Sequence, residues 1–265
     1  MRRRRADAAL VEAGLFASRE QAKAAILAGR IRIGDAPVTK AGHQVDDEVT
    51  FTVEAAQEYV SRGGHKLAGA LDAFELDVTG LDALDVGAST GGFTDCLLQR
   101  GAVAVTALDV GYGQLAWSLR QDSRVRVVER TNIRTVDGPL PGAPFDIAVI
   151  DVSFVGLAKV LPHVAEQLAE DAEIVALVKP QFEAGKARVG KRGVVRDAAV
   201  HADVLREVVE AAAALGWHAR GLTWSPITGP EGNIEFWVRL ARGGEPATLD
   251  AGAVVKAAHT ALGGM

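Results

Sequence analysis

From Gly63 onward the chain alternates short apolar runs with amphipathic stretches, and this alternation limits its possible architectures more than any other feature. The apolar runs, read as strands, are 83–86, 103–109, 125–129, 146–151, 173–178, 218–223 and 234–240. Segments with helical spacing of apolar residues fit between them, including 94–100, 157–168 and 199–215, and one more helix fits 250–262. The pattern predicts an α/β fold built on a Rossmann-like, doubly wound sheet, in which ligands bind beyond the carboxyl ends of the strands. With 265 residues, 48% of them hydrophobic and 24% charged, the chain is large enough for such a domain plus a smaller one.

The bulk properties exclude several classes. A single cysteine, Cys96, allows no internal disulfide and no thiolate cluster for zinc, so no metal is expected and a cytoplasmic location is. The start, Met1-Arg2-Arg3-Arg4-Arg5, has the charge of a signal peptide, but Asp7, Glu12, Arg19 and Glu20 interrupt any apolar core behind it. No run reaches the ~18 apolar residues of a membrane span. The formal net charge of -5 argues against a uniformly basic coat and leaves room for local basic patches.

Charge marks off the first part of the chain. Residues 1–45 hold nine Lys or Arg against four acids, and Asp46, Asp47 and Glu48 follow at once. Here the pattern reads as two helices and then short strands. Leu10, Val11, Leu15 and Phe16 line one helix face, with Gly14 at its end. Ser18 caps a second helix through Ala28, Gln21 sits where a capping-box partner belongs, and Ala22, Ala25 and Ile26 face inward. Ile31 and Ile33 alternate with Arg30 and Arg32, Gly34-Asp35 is a hairpin signal, and Val45, Val49, Phe51 and Val53 suggest one closing strand. The expected layout is a small α+β domain over 1–56, a linker over 57–62 and the α/β domain over 63–265.

One loop carries the strongest chemical signal. Leu84-Asp85-Val86 runs into Gly87-Ala88-Ser89-Thr90-Gly91-Gly92 and then a helix. The spacing is not the Gly-x-Gly-x-x-Gly of dinucleotide sites. It also lacks the Lys-Ser/Thr that closes a triphosphate cradle, since Phe93-Thr94 follows Gly92. What remains is adenosine carrying no phosphate, that is, S-adenosylmethionine. Asp109, at the end of the next strand, stands where a carboxylate meets ribose hydroxyls. The sequence Asp-Val-Gly-Ala-Ser-Thr-Gly-Gly-Phe resembles the first motif of FtsJ-type ribose methyltransferases. That resemblance implies Asp85, Gly87, Ser89 and Gly91 as methionine-side contacts, Asp109 as the ribose contact, and Asn132 near the adenine.

A ribose hydroxyl is a poor nucleophile near neutral pH, so methyl transfer to it needs alignment and relief of its proton. Lysine can be the base if its environment disfavours the ammonium form. Asp151 and Lys179 end predicted strands, Glu235 lies in a late strand, and Lys66 stands just ahead of the domain, free to fold over the site. These positions match the Lys-Asp-Lys-Glu tetrad of FtsJ-type enzymes. The resemblance implies Lys179 as base, Asp151 and Lys66 as its tuners, and Glu235 as orienter of substrate and lysine.

The N-terminal segment, with Arg-x-Asp-x-x-Leu, Ser-Arg-x-x-Ala and Gly-Arg-Ile-Arg-Ile-Gly, resembles the S-four RNA-binding domain, which implies Arg4, Arg5, Arg19, Lys23, Arg30 and Arg32 as phosphate contacts. Joined to Arg-Gly-Gly-His-Lys, Ile-Asp-Val-Ser-Phe, Val-Lys-Pro-Gln-Phe-Glu and Ser-Pro-Ile-Thr-Gly-Pro-Glu-Gly-Asn-Ile-Glu-Phe, it makes almost the whole chain similar to the TlyA family of ribosomal RNA methyltransferases, some of which are named hemolysins. The resemblance implies 2'-O-methylation of cytidine in 23S rRNA, in some members also 16S rRNA, with ribosomal RNA in subunits or ribosomes as partner. Where some members have Arg-x-Trp-Val, this chain has Gln57-Glu58-Tyr59-Val60, keeping an aromatic residue but not the arginine.

Residues 185–196 hold five basic residues and three glycines with no acid, which reads as a loop gripping RNA through Lys186, Arg188, Lys191 and Arg192. Three other readings stay open: a membrane-active hemolysin, an RNA-binding protein with an inert methyltransferase fold, and methyl transfer to a small molecule. The first lacks a membrane-active pattern, the second does not need the four-residue set, and the third leaves the basic N-terminal segment unused.

Overall fold

The computed structural model describes residues 3–54, 58–243 and 247–263. The chain divides into two compact units, Met1–Glu58 and Tyr59–Met265.

In the first unit, β1 (Arg3–Arg5) leads into α1 (Ala6–Glu12) and α2 (Arg19–Leu27). The strands β2 (Ile31–Ile33), β3 (Ala36–Pro37), β4 (Gln44–Asp46) and β5 (Phe51–Val53) follow. Ser18 caps α2 by accepting from the Gln21 amide at 3.3 Å, and Ala22, Ala25 and Ile26 are buried. The Gln21 side chain takes the Ala17 N–H, one residue earlier than a capping box would have it. Two expectations need correction. Leu15 is exposed, because α1 ends at Glu12 and Gly14, at φ +72°, turns the chain before Leu15 is reached. The single closing strand is two: β4 pairs with β1, whereas β5 pairs with β2, and the polar 47–50 stretch separates them.

The second unit opens with α3 (Gly63–Ala73), a helix absent from the sequence reading, which began the domain at Gly63 but marked no element before residue 83. There follow β6 (Asp82–Val86), α4 (Gly92–Gln99), β7 (Ala104–Leu108), α5 (Trp117–Arg120), β8 (Val125–Val128), β9 (Phe145–Ile150), α6 (Leu161–Ala165) and β10 (Leu168–Val178). The unit closes with α7 (Pro180–Glu183), α8 (Ala198–Ala213), β11 (His218–Trp224), β12 (Phe236–Ala241) and α9 (Ala251–Leu262). The seven strands form one sheet in the order β11-β12-β10-β9-β6-β7-β8. Pairing is parallel from β10 to β8, and β12 runs antiparallel between β10 and β11.

Both faces of this sheet are covered, which explains why its strands read as unbroken apolar runs. Leu84, Ala148, Ile174 and Ala176 pack into one core, and the alternating Ala83, Ile147, Val149 and Val175 pack into the other. The expected helix 157–168 is a 3-10 turn (Leu157–Lys159) followed by the short α6, and the chain is extended again from Leu168. Pro162 cannot donate to the preceding turn, so the helix restarts there. Buried Gln167 then spends its side chain on the Leu140 N–H and the Gly138 carbonyl.

The stretch read as a linker divides. Gln57 lies outside the described residues, while Tyr59 is buried and set edge-on to His65 at 5.1 Å. The Val60 amide donates to Asp95 at 2.7 Å. From Tyr59 on, the chain packs as part of the second unit.

Candidate active site

Strand order reverses at β6: the chain builds outward to β7 and β8, then crosses to β9 on the other side. Such a switch point leaves a crevice beyond the strand ends. Here it lies between the turn after β6 and the residues after β9. The Asp151 amide donates to the Val86 carbonyl at 2.9 Å, holding the two ends together. Gly87 has φ +93°, and a Cβ there would stand 2.4 Å from the Asp151 carbonyl oxygen. The position therefore demands glycine twice, by conformation and by space.

A cavity of about 470 Å³ fills the crevice, lined by Gly87, Ser89, Asp109, Asn132 and Asp151 among polar groups and by Val110, Ile133, Val152, Val155 and Val160 among apolar ones. Asp109 is fixed by backbone donors, Ser89 N–H at 2.7 Å and Gly111 N–H at 2.6 Å. Each of its oxygens keeps a further lone pair for a diol. Asn132 accepts from the Arg134 amide at 3.1 Å and so caps the turn beneath the cavity floor. Asp85 and Gly91 support the loop without lining this cavity. Gly91, at φ +95°, starts α4; Asp85 is fully buried, with one oxygen on the Thr94 hydroxyl at 2.7 Å and the other without a hydrogen-bond partner among the described residues. Burial pushes the Asp85 carboxyl up to about 7; the Thr94 bond opposes this and the charge of Asp151 adds to it. The volume, the apolar walls and the carboxylate at the end of β7 fit an adenosine-bearing cofactor.

Beside it lies a second cavity, of about 540 Å³, which shares Gly87, Ser89 and Asp151 and adds Ser61, Arg62, Lys66, Thr228 and Gly229. Two buried ion pairs serve its wall. Lys66 Nζ meets Glu235 Oε2 at 2.5 Å; Glu235 has no exposed surface, and its other carboxylate oxygen lacks a hydrogen-bond partner among the described residues. Lys179 is paired with Asp151, and its Nζ donates to Ser153 Oγ at 3.0 Å. The elements explain these placements. Asp151 and Lys179 directly follow β9 and β10, as the strand ends require. Glu235 stands one residue ahead of β12 rather than within a strand, and Lys66 is not ahead of the domain but in the first turn of α3, whose Leu67, Ala70 and Leu71 are buried.

Sequence reading passed over three neighbours. Ser153 orients Lys179. Gln114 accepts from the Ser89 hydroxyl at 3.3 Å. Phe154, at φ +65°, is 90% exposed, lines the first cavity and packs its ring 4.9 Å from Phe182. A left-handed bulky residue with an exposed ring is a costly arrangement, and such outliers gather at functional sites. Its motif, Ile-Asp-Val-Ser-Phe, was legible; its backbone conformation was not.

The basic residues of the first unit are mostly held in place. Arg5 makes two 3.0 Å bonds to Asp7, and Arg19 reaches the same carboxylate at 2.9 Å, which the arginines hold down at about 2. Arg4 pairs with Glu12 and donates to the Asp47 carbonyl. Arg30 donates to the Glu54 carbonyl and Arg32 to that of Asp35. Lys23 is exposed on α2. In the basic loop, Arg188 makes twin bonds to Glu207 at 2.9 and 3.0 Å, and Lys186, Lys191 and Arg192 are exposed.

Residues 59–242 match the FtsJ-like methyltransferase family and residues 4–50 the S4 domain family. The chain is 49% identical over 98% of both sequences to the 16S/23S rRNA (cytidine-2'-O)-methyltransferase TlyA of Mycobacterium tuberculosis. It is 38% identical to Hemolysin A of Brachyspira hyodysenteriae, over 84% of this chain and 93% of that one. A solved structure named as a hemolysin of Streptococcus thermophilus superposes with a TM-score of 0.76 at 41% identity, covering 100% of this chain and 98% of that one. Among the described residues no helix is long and apolar enough to cross a membrane, and no cluster could hold a metal ion. The chain carries both matched domains and aligns with the first of these relatives over 98% of each sequence, and it belongs to the TlyA family of FtsJ-like methyltransferases.

Proposed function

We propose that this chain methylates the 2'-hydroxyl of cytidine in ribosomal RNA, in the 23S molecule and also in the 16S, with S-adenosylmethionine as donor and ribosomal subunits as substrate. The observation that carries the reading is the pair of adjoining cavities. One suits the cofactor and the other is walled by Lys66, Asp151 and, behind them, Lys179 and Glu235. The shared residues Gly87, Ser89 and Asp151 lie where donor and acceptor meet.

Asp109 would hold the cofactor ribose, Asn132 and the valines the adenine side, and the Gly87–Ser89 turn the methionine side. Bound S-adenosylmethionine supplies an electrophilic methyl on a sulfonium. Lys179 Nζ would serve as the base that takes the proton of the ribose hydroxyl as that oxygen accepts the methyl. Asp151 and Ser153 aim that nitrogen. The Lys66–Glu235 pair fixes the wall on the substrate side, with Glu235 buried behind Gly229 and holding the Lys66 ammonium that lines the cavity. Phe154 offers an exposed aromatic face at the rim of the first cavity, which suits a base taken out of the RNA stack. Arg19, Lys23, Arg30 and the 185–196 loop supply phosphate contacts.

The test is transfer of tritium from labelled S-adenosylmethionine to isolated 30S and 50S subunits, comparing the parent with Lys179→Ala. Label in both rRNAs that falls by about 10²–10⁴-fold in the variant, with cofactor still bound, is the expected result. Cofactor binding without label on either subunit or on 70S ribosomes would overturn it.

A further inference from the structure

Asn233 takes no part in the mechanism above, yet it is buried and sits two residues before Glu235. Its side chain reaches across to the basic loop. Oδ1 accepts from the Val195 amide at 3.1 Å, and Nδ2 donates to the Gly193 carbonyl at 3.1 Å. One carboxamide thus bonds the backbone on either side of Val194, as a neighbouring parallel strand would. Its own carbonyl accepts from the Gly229 amide at 2.9 Å. Gly229 lines the substrate-side cavity, and its Cα backs so closely on Glu235 that an added Cβ would stand 2.2 Å from the carboxylate.

The loop end is held from the other side as well. The Val195 carbonyl lies 3.1 Å from His201 Nε2, which must be the donor, and His201 Nδ1 then accepts from His259 Nε2 at 2.9 Å. Val194 and Val195 are buried, whereas Lys191, Arg192 and Arg196 around them are exposed. The loop is an anchored apolar pair carrying free basic arms.

We propose that Asn233 is a positioning residue that locks the basic loop to the Gly229–Glu235 wall, so that phosphates gripped by Lys191 and Arg192 fix where the target ribose stands relative to Lys66 and Glu235. The RNA half of this inference rests on the reading in the preceding subsection; the clamp itself does not.

The experiment uses the full-length chain. Trypsin cleavage after Lys191 and Arg192, followed by mass spectrometry, reports opening of the loop. Losing two buried hydrogen bonds in Asn233→Ala should raise that cleavage rate about tenfold or more, and Asn233→Asp, which keeps only the acceptor, should fall between. In methyl transfer, Asn233→Ala should raise KM for RNA about tenfold and leave KM for the cofactor unchanged. Combined with Lys191→Ala/Arg192→Ala, the two effects on KM should fall well short of multiplying, since both remove one function. Cleavage at the parent rate, or effects on KM that multiply in full, would overturn the clamp. Should Asn233→Ala not fold, amide exchange in the parent decides: slow exchange at Val195 beside fast exchange at Arg192 is expected, and equal rates refute the proposal. The proteolysis and exchange arms need no RNA, so failure of the parent to methylate would count against the function and not against the clamp.

Discussion

At the scale of single residues the site is a set of buried charges, and each has a consequence for stability. Lys66 and Glu235 are both withdrawn from water. Removing one partner strands the other, at a cost of about 3–5 kcal/mol, whereas replacing both with neutral groups of similar shape costs far less. Lys66→Met should therefore destabilise the protein strongly in urea titrations. Lys66→Met/Glu235→Gln should recover most of that loss and still transfer no methyl. Full activity in the double variant would remove the pair from the reaction. Asp85 gives a pH signature. Its carboxyl, ordinarily near 3.8, is raised to about 7 by burial, so the folded chain keeps a proton that the unfolded chain has already lost. Stability from this group is present in full below pH 4, falls as pH rises toward 7, and is level above that. Asp85→Asn should flatten the profile, shrinking the difference in unfolding free energy between pH 5 and pH 8 by roughly 3 kcal/mol. An unchanged slope would assign the titration to other groups.

At the scale of elements, the readable parts were those whose pattern is dictated by burial. Strands covered on both faces are apolar throughout, so all seven sheet strands lie within two residues of the expected bounds at their catalytic ends, and Asp151 and Lys179 follow from strand ends alone. What escaped was set by contacts distant in sequence. β1 exists only because β4 returns to pair with it, and β4 parts from β5 because each has a different partner. The helix α3 carried a legible Leu67–Ala70–Leu71–Phe74 spacing, but only the packed structure reveals that its first turn delivers Lys66 to Glu235. The left-handed Phe154 and the Asn233 bonds have no local signal at all. The basic loop shows a finer division of labour than its composition implied. Arg188 is committed to Glu207 on α8, while Lys191 and Arg192 are free to meet phosphate. Lys191→Ala/Arg192→Ala should weaken RNA binding about tenfold at physiological salt; Arg188→Ala should instead loosen the loop and increase its cleavage by trypsin. Equal losses of RNA affinity from both changes would contradict this division.

At the scale of the whole molecule, charge is partitioned rather than balanced. Residues 1–45 carry nine basic residues against four acids, leaving twenty against thirty for the rest of a chain whose net charge is -5. An acidic protein that binds a polyanion must do so through discrete patches, and each patch should release its own counterions. In the first unit the arginines are aimed by carboxylates: Asp7 alone fixes Arg5 and Arg19, and its depressed ionisation keeps it charged throughout the physiological range. The exposed Lys23 on α2 and the exposed Lys191 and Arg192 of the loop belong to different compact units. Two variants separate them, Arg19→Ala/Lys23→Ala in the first unit and Lys191→Ala/Arg192→Ala in the second. For binding to 50S subunits measured from low to moderate salt, each should lower the slope of log affinity against log salt by roughly 1.5–2, and the four-residue variant by about twice that. Cofactor affinity should be unchanged in all three, because none of these side chains lines the cofactor cavity. If instead the first-unit pair alone abolished the salt dependence, the loop would touch no phosphate. Its five basic residues would then be a solvated surface, and the acidic second unit would depend on the S4 domain for all of its attraction to RNA.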